Sequence, residues 1–78
     1  MIRSILLHIK MSGGRTFPIK VSSDDTLGYI KEYISEALEV HSRNWGIYQG
    51  KYLQDDNIKI CDMKSTDNLS FYPKIVIR

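Results

Sequence analysis

Near the N-terminus apolar and polar positions alternate. Ile5, Leu7 and Ile9 take turns with Ser4, His8 and Lys10, and after an interruption Phe17, Ile19 and Val21 resume the same period. A period of two belongs to a strand with one buried face. Leu6 leaves the other face of the first strand partly apolar. Between the two runs stand Ser12, Gly13 and Gly14, which supply the positive-φ freedom of a tight reversal, so the pair is predicted to be a β-hairpin. Pro18 has no N–H to give to a ladder, which puts the second strand at a sheet edge with residue 18 facing outward.

The period then changes. Ser22 to Thr26 is a run of N-cap residues with two acids suited to the positive end of a helix dipole, and Leu27, Ile30, Ile34 and Leu38 follow at helical spacing. One amphipathic helix is predicted, with those four residues packed and Lys31, Glu32, Ser35, Glu36 and Glu39 in solvent. Gly28, in the first turn, costs less than the roughly 1 kcal/mol that glycine costs against alanine in a helix interior. Val40 to Asn44 connects to a third strand, Trp45 to Gln49, which Gly50-Lys51 closes before the short segment Tyr52-Leu53. Gln54 to Asn57 is a polar turn, Ile58 to Lys64 is irregular or briefly helical, and Asn68 to Tyr72 alternates once more. The order ββαββ, short helix, β describes an α+β fold, a mixed sheet crossed by one helix.

At 78 residues the chain closes one core, taken as a domain over 1–73 followed by a tail at 74–78. Hydrophobic residues at 42% and charged residues at 26% exclude a disordered chain. Eleven basic and nine acidic residues give a net charge of +2, spread without a like-charged run, so no nucleic-acid partner is expected. Recognition of single strands needs a basic stripe beside an aromatic platform, and only the platform can be assembled here. No apolar run approaches the roughly 18–20 residues that cross a bilayer, and no membrane partner is expected. Cys61 has no second thiol to pair with, which favours a reducing compartment, cytoplasm or nucleus.

Several residues together resemble the ubiquitin superfamily over almost the whole chain. They are Asp25-Thr26-Leu27 at the helix start, Lys31 within it, Gly50-Lys51-x-Leu53 in the second hairpin, and the spacing Ile58, Met63, Leu69-x-Phe71. The resemblance implies the β-grasp fold. Asp24-Asp25-Thr26-Leu27-Gly28 and Leu69-Ser70-Phe71-Tyr72 are also similar to the ubiquitin-like proteins that act non-covalently in pre-mRNA splicing. Those stop just after a pair of tyrosines, whereas here Phe71-Tyr72 is followed by Pro73 to Arg78.

In ubiquitin an exposed apolar patch on the sheet docks partners, and the resemblance carries its positions onto Trp45, Ile47, Ser70 and Tyr72. Aromatic anchors suit protein recognition, because they offer large, stiff contact area. The same alignment puts Gly46 where the family buries a large apolar residue, and a shift of one residue in strand three would bury Trp45 and Ile47 instead. Both registers are open at this point. Lys51, grouped with that surface, matches a lysine that ubiquitin uses to build chains, although solvation and turn geometry account for Gly50-Lys51 without conjugation chemistry.

No catalytic, metal or cofactor site is expected. His8 and His41 lack the paired spacings of zinc sites, and Cys61, with apolar Ile60 and Met63 close by in the chain, is expected to pack in the core. The function implied is a non-enzymatic module that binds partner proteins non-covalently. The alternative is a covalent modifier, disfavoured because such modifiers end in Gly-Gly and residues 74–78 hold no glycine. Ile75, Val76 and Ile77 form a β-branched apolar run, expected to pack on the domain, to continue into a neighbouring domain, or to pair with another chain in self-association by strand addition at a sheet edge.

Overall fold

The two alternating runs pair as antiparallel strands β1 (Ser4–Met11) and β2 (Thr16–Ser22) in a computed structural model that describes residues 3–74. The predicted tail segment Ile75, Val76 and Ile77 lies outside the described residues. In the hairpin Ile5 faces Val21, Leu7 faces Ile19 and Ile9 faces Phe17, so both apolar sets share one face. Gly13 and Gly14, at φ 87° and 83°, make the reversal.

Helix α1 (Leu27–Leu38) crosses that face, and the chain then adds β3 (Trp45–Gln49), β4 (Tyr52–Leu53) and β5 (Leu69–Pro73). Sheet order is β2-β1-β5-β3-β4, with β5 parallel to β1 and every other pair antiparallel. This is the mixed-sheet β-grasp arrangement. Pro18 sits on edge strand β2 and points to solvent, as its missing N–H requires. Single 3-10 turns at Ser42–Asn44 and Ile60–Asp62 shape the two long connections.

The start of α1 is held from two directions. Thr26 caps it, its hydroxyl oxygen accepting from the Tyr29 amide at 3.1 Å. The Leu27 and Gly28 amides donate to the carbonyls of Ile58 and Asp56 at 2.9 and 2.8 Å. Donors that a helix leaves unpaired are thus satisfied by the segment before the 3-10 turn. A Cβ on Gly28 would stand 3.0 Å from the Asp56 carbonyl oxygen, so glycine here permits a close backbone approach.

Three burial expectations are corrected. Lys31 and Ser35 are buried, because the packed stripe of α1 is Leu27, Ile30, Lys31, Ile34 and Ser35. Lys31 reaches the Asp56 carboxylate at 2.8 Å, whereas the Ser35 hydroxyl has no hydrogen-bond partner among the described residues. Leu38 lies on the same side of the helix but is exposed, for it borders an open hollow with Met11, Phe17 and Trp45 where the helix ends. Cys61 is exposed as well: in the 3-10 turn Ile60 takes the buried position and the next two residues point outward.

Candidate functional site

Among the described residues, one face of the sheet is covered by α1 and the other is open. By strand alternation the open face carries Leu6, His8 and Lys10 from β1, Pro18 and Lys20 from β2, Ser70 and Tyr72 from β5, and Gly46 and Tyr48 from β3. Leu53 of β4 joins them as the ladder partner of Tyr48. The charged side chains at these strand positions are basic, and none is acidic.

The ladder between β3 and β5 decides which residues belong here. Ile47 faces Phe71, Gly46 faces Tyr72 and Tyr48 faces Ser70. Phe71 is fully buried, and residues opposite one another share a face, so Ile47 and its neighbour two positions back, Trp45, must turn inward. Ile47 is accordingly core, 2% exposed, and the Trp45 ring is stacked on Phe71. Of the two registers open in the sequence, the shifted one is found. Trp45 and Ile47 are therefore removed from the exposed patch on which the family alignment had placed them.

Tyr72 remains on the open face, 38% exposed. Ser70 keeps its outward position but is buried, lying between its ladder partners Lys10 and Tyr48. Lys51 is exposed in the turn, its ammonium 5.7 Å from the centre of the Tyr52 ring. Tyr48, Gly50, Lys51, Tyr72 and Pro73 line a shallow hollow of about 260 Å³.

Tyr48 and Leu53 are the members that sequence reasoning missed, and Gly46 was the signal for them. A glycine cannot fill a core position, so the register that turns residue 46 outward is the one that leaves no void. Its outer side is filled from elsewhere: a Cβ there would meet Leu53 Cδ1 at 2.5 Å and Lys74 Cε at 3.5 Å. The Lys74 side chain thus lies over the open face, while its amide donates to the Asn44 carbonyl at 2.8 Å.

Such a surface offers apolar rings and chains with a basic border. It suits docking of a protein segment that presents apolar side chains beside acidic ones. Among the described residues no group of three or more His, Cys, Asp or Glu side chains is placed to hold a metal ion.

The sequence pattern of the ubiquitin family matches residues 7–72. Among solved structures, the UBL domain of Plasmodium falciparum Dsk2 superposes with a TM-score of 0.77 at 16% identity, over 92% of this chain and 100% of that one. A chain in the pParkin-pUb-UbcH7 complex superposes with a TM-score of 0.74 at 23% identity over 91% of this chain, which spans only 23% of that one. At these identities the likeness is one of fold. A search of curated proteins finds no match.

Proposed function

The chain belongs to the ubiquitin family, and from that membership we propose that it works as a non-covalent protein-interaction module, without chemistry of its own. Its docking surface is the open sheet face around Tyr72, Tyr48 and Leu53. One observation carries the reading: a sheet face that no other described element covers brings Tyr72, Tyr48 and Leu53 together, and the charged side chains beside them, Lys10 and Lys74, are basic. Exposed apolar area of this kind is where proteins meet partners. The uniform charge selects partners with acidic residues beside their apolar anchors. A solved complex that holds a chain of the same fold, pParkin-pUb-UbcH7, is consistent with a protein partner.

Isotope-labelled protein titrated with a partner captured from lysate tests the reading. Perturbed amides are expected to cluster at Lys10, Tyr48, Leu53 and Tyr72. Perturbation confined to Tyr29 through Glu36 would place the docking surface on the helix and overturn it.

A further inference from the structure

We propose that the chain also stacks on itself head to tail, the outward stripe of α1 in one copy lying on the open sheet face of the next. The inference rests on the reading of that face as a docking surface and adds a second surface and a second copy. At about 100° per residue, Tyr29, Glu32, Tyr33 and Glu36 fall at i, i+3, i+4 and i+7, on the side of α1 opposite its buried stripe. All four side chains are exposed, Tyr29 by 54% and Tyr33 by 50%. An aromatic pair at this spacing is how an amphipathic helix presents anchors to a groove or sheet.

Charge then chooses the occupant. The stripe is acidic only, because the helix's single base, Lys31, is turned inward onto Asp56. The open sheet face is basic only, through Lys10, Lys20 and Lys74. Among the described residues the one salt bridge is Lys31–Asp56, so no described side chain of opposite charge pairs with either face. Opposite sides of one small domain therefore carry complementary charge around exposed aromatic and aliphatic side chains. Docking them repeats the helix-on-sheet layering already present inside each copy. Two different patches meet in such a contact, so it is heterologous and extends into short stacks instead of closing as a symmetric dimer.

Sedimentation equilibrium across a wide concentration range tests this. At low salt the average mass is expected to rise with concentration, and raising the salt to about 0.5 M should return it to the monomer, since exposed charge pairs are screened at that ionic strength. Glu32→Lys with Glu36→Lys, and separately Lys10→Glu with Lys20→Glu, are each expected to give a monomer. All four changes in one chain should restore association, with the charges exchanged. A wild-type chain that stays monomeric at low salt overturns the inference, and so does a single-face variant that still associates. Dilution of the labelled wild-type protein adds a measurement that needs no variant. Amides of Tyr29–Glu36 and of the open sheet face should shift together, and shifts on one face alone overturn the stacking. A negative result here leaves the sheet-face reading intact, because that is decided by the foreign-partner titration.

Discussion

The Trp45 indole lies flat against Phe71, with ring centroids 4.8 Å apart and planes 13° apart. The stack ties the first residue of β3 to the fully buried ring of β5 and so locks the register in which Ile47 is core. Offset stacking of this kind adds to plain burial. Trp45→Ala is expected to cost about 2–4 kcal/mol in urea denaturation, toward the lower part of the range for deleting a large aromatic because the ring is only half-buried. A loss below about 1 kcal/mol would mean that the stack does not hold the register.

Lys31 and Asp56 make an asymmetric pair, for the lysine side chain is 6% exposed and the aspartate 57%. Removing the carboxylate strands a buried ammonium, whereas removing the ammonium leaves a carboxylate that water can solvate. Asp56→Asn is therefore expected to destabilise by about 1–3 kcal/mol, discounted from a fully buried pair because its acidic half is wet. Lys31→Met should lie within about 1 kcal/mol of wild type, since it exchanges a charge for apolar packing of similar length. Chemical denaturation of both variants checks the ranking. Equal losses would contradict it.

Ser35 offers a route to higher stability. Its buried hydroxyl has no hydrogen-bond partner among the described residues, and serine is a poorer helix former than alanine. Ser35→Ala is expected to gain about 1 kcal/mol and to raise the melting temperature by a few degrees. A lowered melting temperature would show that the hydroxyl is satisfied in solution.

Much of this architecture is legible in the residues themselves. The hairpin shows through its alternation and its Gly13-Gly14 break, the helix through Thr26 and the spacing of Leu27, Ile30 and Ile34, and the edge position of β2 through Pro18. Long-range geometry is what stays hidden. Whether Lys31 is solvated depends on Asp56, which lies 25 residues away in the chain. A five-residue strand with apolar or aromatic side chains on both faces carries no clear period of its own, so Phe71, across the ladder, decides which face Ile47 takes. The family alignment through Gly50-Lys51 pointed one way and Gly46 the other. Gly46 was the better guide, because an empty core position is costly in a domain this small.

The docking claim is tested most directly by the affinity of a captured partner for three versions of the chain: wild type, Tyr72→Ala and Tyr33→Ala. Tyr72 stands on the open sheet face and Tyr33 on the helix, both exposed, so neither change should disturb the core. Binding measured by calorimetry, at a chain concentration where wild type is monomeric, is expected to weaken tenfold or more for Tyr72→Ala, the loss of roughly 1.4 kcal/mol or above that marks an aromatic anchor. Tyr33→Ala should stay within about twofold of wild type, as expected of a residue outside the interface. The reverse pattern, with Tyr72→Ala binding like wild type and Tyr33→Ala failing to bind, would contradict the assignment of the sheet face.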